Sequence, residues 1–286
     1  MYILLAIGSA FFAGLTTILS KIGIKNINSH LATGIRTSVI LVFSWVLVLS
    51  LGNSDEMYHL SGRTLLFLAL SGMATGGAWL CYFRALQLGN VGPVVAIDKS
   101  STVLTMILAF LLLGESFTVK TALAVALLFI GAMMMAIGPD FFTSKSSKNN
   151  LWIIYAIGAA IFSSLTAILG KIGVQSIHSD LATAIRTIFV FICAWGMVFL
   201  QKQHYEIAQI NKFNWIFLIL SGFATGASWL CYYRALQLGP ASVVVPIDKL
   251  SIVITILFSH FILKEEVHKR SWIGLLFMII GTLLLL

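Results

Sequence analysis

Charge is scarce in this chain: Asp, Glu, Lys and Arg make up 10% of its 286 residues, where a soluble domain carries about a quarter. That scarcity excludes an ordinary water-soluble fold. Proline is also rare, with 4 in all, and the 3 cysteines, Cys81, Cys193 and Cys231, lie in apolar stretches without CxxC or His-linked spacing. Neither a disulfide framework nor a zinc site follows. No GxxxxGK[ST] phosphate loop occurs, which excludes an ATP-driven pump with its own nucleotide site. An HExxH pair, an acidic metal cluster and a nucleophile with its base are missing too. The expectation is a protein that is not an enzyme and has no catalytic residues, metal or cofactor.

What is present is apolar surface, at 59% of residues and a mean hydropathy of +1.00. A spanning helix needs about 20 apolar residues. Apolar runs bounded by polar residues, Gly or Pro fall at 2–22, 30–51, 63–88, 92–113, 118–138, 151–172, 180–200, 213–237, 241–263 and 270–286. They predict an all-α, polytopic membrane protein with ten transmembrane helices. The first run has no basic leader and no A-x-A site, so it reads as a retained helix. Lys and Arg number 18 against 10 Asp and Glu, a net charge of +8, but most basic residues lie in loops or at helix ends. That placement fits membrane orientation, not nucleic acid. Lys21, Lys25, Lys145, Lys148, Lys202, Lys212, Lys264, Lys269 and Arg270 share one expected side, against Arg63, Lys120 and Lys171 on the other. The bias predicts a cytoplasmic central linker and both termini outside, in a prokaryotic cell membrane.

The two halves of the chain match at a constant offset of 150 residues. LATGIRT (Leu31 to Thr37) returns as LATAIRT (Leu181 to Thr187), and AIDKSS (Ala96 to Ser101) as PIDKLS (Pro246 to Ser251). The block from Ser71 to Gly89 returns at Ser221 to Gly239 with 15 of 19 residues identical. A five-helix unit has been duplicated: residues 1–139, a polar linker at 140–150, and 151–286. Five is odd, so the second copy enters the membrane from the opposite side. Two inverted five-helix repeats, related by a pseudo-two-fold axis in the membrane plane, are the expected architecture. Inverted repeats are characteristic of secondary transporters.

These residues resemble the EamA family of the drug/metabolite transporter superfamily. The likeness rests on Lys21 and Lys171 ending each first helix, Arg36 and Arg186 opening each second, and the W-x-C-Y-x-R-A-L-Q-L-G block at Trp79 to Gly89 and Trp229 to Gly239. Glu115 and Glu265, after each fourth helix, and Gly131 and Gly281, late in each fifth, complete it. The departure is the IDK triplet at Ile97 to Lys99 and Ile247 to Lys249, where most of the family is more apolar. The resemblance implies a ten-helix carrier of small metabolites, often outward, working by proton coupling or exchange. Substrate identity is not implied.

An ionisable group at the centre of a spanning helix costs roughly 2.5–3.5 kcal/mol on insertion scales. Asp98, Lys99, Asp248 and Lys249 therefore need partners on other helices or a wet cavity. Topology predicts one cluster of Arg36, Arg84, Asp98 and Lys99 at one mouth and a second of Arg186, Arg234, Asp248 and Lys249 at the other. Each carries a formal +2 and would attract a carboxylate or phosphate. The plainer alternative is that the arginines snorkel to headgroups. Gly72, Thr75, Gly76 and Trp79 share a helix face, as do Gly222, Thr225, Gly226 and Trp229. Their GxxxG spacing reads as close helix packing, while Trp79, Trp229, Tyr82 and Tyr232 are candidates to wall a cavity. Pro246 predicts a kink beside Asp248, and Glu115 and Glu265 read as interfacial or as caps for the next helix. The expected function is a secondary active transporter, chiefly an exporter, of small polar metabolites such as amino acids or other carboxylate-bearing compounds, with the lipid bilayer, a small molecule and protons as partners. A monomer should suffice. The alternatives are an exporter of small organic cations or drugs, a passive channel or a lipid scramblase.

Overall fold

The computed structural model describes residues 1–23, 27–88, 94, 97–98, 100–136, 151–261 and 269–285. The linker at 140–150, Lys99 and Glu265 lie outside the described residues, as does the side chain of Lys21.

Among the described residues the chain is helical throughout, without a strand. The first half contains α1 (Tyr2–Gly23), α2 (Ser29–Leu51), α3 (Gly62–Leu88), α4 (Ser101–Leu113) and α5 (Val119–Ala136). The second contains α6 (Leu151–Val174), α7 (Ser179–Leu200), α8 (Lys212–Leu238), α9 (Ala241–Lys249), α10 (Ser251–Phe261) and α11 (Lys269–Leu285). Short 3-10 turns at Asn53–His59 and Gln203–Gln209 follow the second helix of each half. Among the described residues seven segments are long and apolar enough to cross a membrane, one of them Ala241–Phe258, which runs through α9 into α10.

Local chemistry sets several boundaries. The Asn28 side chain accepts from the backbone N–H of His30 at 3.0 Å and starts α2, as Asn211 starts α8 by accepting from Asn214 N–H at 2.7 Å. Both satisfy a donor that has no partner within its helix. Gly52 and Gly114 end α2 and α4 in the left-handed region, at φ 73° and 66°, where a side chain would be strained.

Packing follows an exchange pattern. α1 lies along α8, and α3 lies along α6, so the first helix of each half runs beside the third of the other. α2 meets α7, and α5 meets α11. Glycines bring further helices close, α3 onto α7 at Gly72 and α8 onto α2 at Gly222. A Cβ on Gly72 would stand 2.7 Å from the Arg186 carbonyl oxygen, and one on Gly222 would stand 2.7 Å from Val39 Cβ. Gly131 sits as tightly on α11, where a Cβ would meet the Gly274 carbonyl oxygen at 2.6 Å. Without a hydrophobic gradient between helices in lipid, such close backbone approach supplies the attraction.

The fourth run of each half differs from the sequence expectation. The run at 241–263 is not continuous: it breaks at Leu250 into α9 and α10, where Leu250 N–H bonds to Ile247 O at 3.0 Å, three residues back. The first half turns at the equivalent residue, with Ser100 N–H on Ile97 O at 3.1 Å. Ala96 stands where the second half has Pro246, so proline is not the common cause. The shared feature is a tightened turn directly after the Ile-Asp-Lys triplet.

Candidate central cavity between the two halves

A cavity of about 490 Å³ lies where α2, α3, α7, α8 and α9 converge, and eight of the twelve candidate residues line it. Arg36, Trp79 and Tyr82 come from the first half; Arg186, Trp229, Tyr232, Asp248 and Lys249 come from the second.

Arg186 is built in from all sides. It is 2% exposed, its Nε donates to Ser71 Oγ at 3.0 Å, and its Nη2 donates to Thr75 Oγ1. Its guanidinium carbon lies 4.8 Å from the ring centroids of both Trp229 and Tyr233, a double cation–π contact. Arg36 repeats the theme from the other half, donating from Nη2 to Thr225 Oγ1 at 2.9 Å. The threonines are supported in turn: Thr75 pairs with Thr166 at 3.3 Å and Thr225 with Thr16 at 3.2 Å. Each arginine thus takes a hydroxyl from the opposite half. Among the described residues neither arginine forms an ion pair.

Asp248 is placed differently. Its Oδ1 accepts from Ser9 Oγ at 2.6 Å, and Ser9 is within 3.2 Å of Ser228 Oγ. At the corresponding positions of the duplicate stand Ala159 and Ala78. The two copies have diverged here.

Lys99 lies outside the described residues, and the other three candidates, Asp98, Arg84 and Arg234, do not line this cavity. Asp98 is half-buried and does not line the cavity. Arg84 is exposed, donates to Gln87 Oε1 at 2.9 Å and faces a separate hollow with His30 and Tyr155. Arg234 donates to Gln237 Oε1 at 2.5 Å, away from the cavity. The reason is angular: each arginine follows its tryptophan by five residues, about 140° around the helix, whereas each tyrosine follows by three and stays on the same side. The two expected clusters at opposite mouths are not what these side chains form. Arg36 and Arg186 face one shared space.

A second cavity, of about 810 Å³, opens beside Arg63, Glu115, Lys171 and Pro240 and shares no lining residue with the first. Glu115 accepts from Lys171 Nζ at 3.0 Å, from Ala241 N–H at 2.7 Å and from Ser242 N–H at 2.9 Å. Lys171 also donates to Gly239 O at 2.6 Å. Glu115 does cap a helix, yet the helix is α9 of the other half rather than the next one in sequence. Burial pushes its carboxyl upward, but the Ser242 hydroxyl, the two backbone donors and Lys171 outweigh this and hold it below its ordinary value.

Ser71, Thr75, Thr225, Tyr233 and Ser9 were not among the sequence candidates. Ser71 and Thr75 lie in the duplicated block, and that repetition was the available signal for them and for Thr225. Ser9 has no duplicate and left none.

Among the described residues, helices long and apolar enough to span a membrane surround a cavity lined by Arg36, Arg186 and Lys249, an arrangement that fits a membrane transporter. The profile of the EamA-like transporter family matches residues 1–137 and 150–286, and the chain belongs to that family. It is 44% identical over 134 residues to an uncharacterized transporter from the cobO 3' region of Sinorhizobium sp, covering 47% of this chain and 95% of that protein. It is 26% identical over 221 residues to the uncharacterized transporter sll1164 of Synechocystis sp., covering 71% of this chain and 59% of that protein. A shorter match, 34% over 77 residues, reaches a probable 4-amino-4-deoxy-L-arabinose-phosphoundecaprenol flippase subunit ArnE of Pseudomonas fluorescens, 27% of this chain and 66% of the subunit. A solved crystal structure aligns over 99% of this chain and 96% of its own with TM-score 0.80 at 12% identity, a likeness of fold.

Proposed function

We propose that this transporter is a secondary active carrier that exports small polar metabolites bearing a carboxylate, amino acids among them, by alternating access with proton coupling or exchange. The observation that carries the reading is the central cavity, lined among the described residues by Arg36, Arg186 and Lys249 against Asp248, a formal +2. Fixed positive charge behind aromatic walls favours an anionic group and disfavours a cation.

The reading takes the chain as ten spans in two inverted halves, 1–139 and 151–286, joined by 140–150. It is supported by the 150-residue sequence repeat, by the exchanged packing of α1 on α8 and α3 on α6, and by the helix interruptions after both Ile-Asp-Lys triplets. Discontinuous helices at corresponding positions are where carriers of this kind place substrate. Both halves are in one chain, so a monomer suffices. One half rocks against the other around the cavity, and Asp248 takes up the coupling proton.

The test is uptake into proteoliposomes. Saturable, counterflow-stimulated uptake of a carboxylate is expected, with coupling lost in the Asp98→Asn/Asp248→Asn double variant. Linear flux without counterflow would replace this reading with a passive channel or scramblase. A second reading, export of small organic cations, draws on Asp248 sharing the cavity with Trp79, Trp229, Tyr82 and Tyr232. Uptake restricted to quaternary amines would favour it.

A further inference from the structure

We propose that the central cavity takes a dianion with two separated carboxylates, one received by Arg36 and one by Arg186. This rests on the carrier reading above and sharpens its substrate class.

The first argument is that each guanidinium is oriented without being neutralised. Arg36 bonds Thr225 and Arg186 bonds Ser71 and Thr75, all neutral hydroxyls. The second is that each guanidinium also keeps a donor that, among the described residues, no acceptor meets. Arg36 Nε and Arg186 Nη1 are buried N–H donors without a partner among the described residues. Buried polar groups are nearly always paired, and an unpaired donor on a charged group is costly. A ligand oxygen beside either guanidinium is the acceptor that the protein does not supply.

The third argument is charge. Asp248 is engaged by Ser9 and is followed directly by Lys249, so the triplet's two charges offset each other. The two arginines are left over. A monoanion would leave one of them uncompensated; a dianion matches both.

The fourth is geometry. The arginines come from opposite halves, each with a threonine socket in the other half, so there are two receiving points and not one. Arg186, held between Trp229 and Tyr233, is already fixed in place, which lowers the ordering cost of binding. A compact single-centre anion would fill one socket; a short chain with a carboxylate at each end fills both.

The test is ligand binding to the detergent-purified full chain at neutral pH, by calorimetry and by thermal stabilisation. Succinate, butyrate and putrescine, all four-carbon chains, and inorganic phosphate, a compact single-centre anion, serve as probes. Succinate is expected to bind roughly 10- to 100-fold more tightly than butyrate, the factor expected for one added hydrogen-bonded charge pair. Arg36→Gln should erase most of that preference while leaving butyrate affinity within a few-fold. Arg186→Lys, which keeps the charge but loses the planar fork, should do so in part. The melting temperature without ligand reports whether each variant folds, and Arg36→Gln alone decides if Arg186→Lys does not. Equal affinity for succinate and butyrate overturns the dianion proposal and leaves the carboxylate carrier standing. Phosphate binding more tightly than succinate overturns the two-socket geometry. Stabilisation by putrescine alone overturns both this proposal and the anion-carrier reading.

Discussion

Arg186 shows how a full charge is kept inside an apolar bundle. Two hydroxyls and two aromatic faces hold it, and none of them carries opposite charge, so its field remains available to the cavity. Trp229→Leu removes one of the two faces. A cation–π contact is worth about 0.5–2 kcal/mol, so transport KM should rise roughly 2- to 30-fold with the protein still folded, as initial-rate uptake would show. Divergence of the two copies makes a second prediction. Asp248 lines the cavity with Ser9 bonded to it, while Asp98 does not line it. Asp248→Asn alone should abolish pH-dependent uptake, and Asp98→Asn alone should leave at least half of it; equal loss in both would contradict the asymmetry. The sequence expected Arg36 with Arg84 at one mouth and Arg186 with Arg234 at the other. In the structure Arg36 and Arg186 line one cavity, while Arg84 and Arg234 do not, because the angular position on the helix decides which space a side chain enters.

The element that links the two cavities is α9. Its nine residues, about 13 Å of helix, begin at the Glu115 carboxylate and end at Asp248 and Lys249. A negative charge at a helix N-terminus is favourable because the free N–H groups and the dipole both point at it. Glu115→Gln should therefore loosen α9 from α4, at a cost of about 1.5–3 kcal/mol for charged hydrogen bonds, seen as a lower melting temperature. Because folding holds the Glu115 carboxyl below its ordinary 4.5, its stabilisation is complete above that value and is lost as pH falls through the lower folded value. The wild-type melting temperature should drop across that acidic window, and the drop should be smaller in Glu115→Gln. The α5–α11 contact makes a different demand. Gly131→Val places carbon against a backbone carbonyl 2.6 Å away and should destabilise by about 1–3 kcal/mol, as overpacking does, measurable in a denaturation series. Helix existence and most boundaries were legible from the apolar runs. The break at Leu250 was legible only in part: Pro246 predicted a kink beside Asp248, but the turn at Ser100 follows Ala96, so the tightened turn has no compositional mark common to both halves.

At the scale of the molecule the two halves are interleaved, not stacked side by side. With α1 on α8 and α3 on α6, a half alone would leave Arg36 or Arg186 without its threonine and turn a glycine face to lipid. Residues 1–139 and 151–286 expressed separately should be degraded or aggregate, whereas co-expression should recover a complex that co-purifies and transports. A stable, monodisperse single half would contradict this dependence.

Sequence alone determined the membrane class, the duplication at 150 residues and the family, because these depend on apolar run length and on self-similarity, both of which are written linearly. It also named eight of the residues that line the cavity. Tertiary structure decided that Arg36 and Arg186 meet in one space, that Glu115 reaches across to α9, and that Ser9 attends Asp248 and has no counterpart in the other copy. Those outcomes depend on which helix faces which, and in lipid that is set by backbone approach at glycine and by hydroxyl pairing between distant segments. Such contacts join residues as far apart as Ser9 and Asp248, and no local pattern in the chain records them.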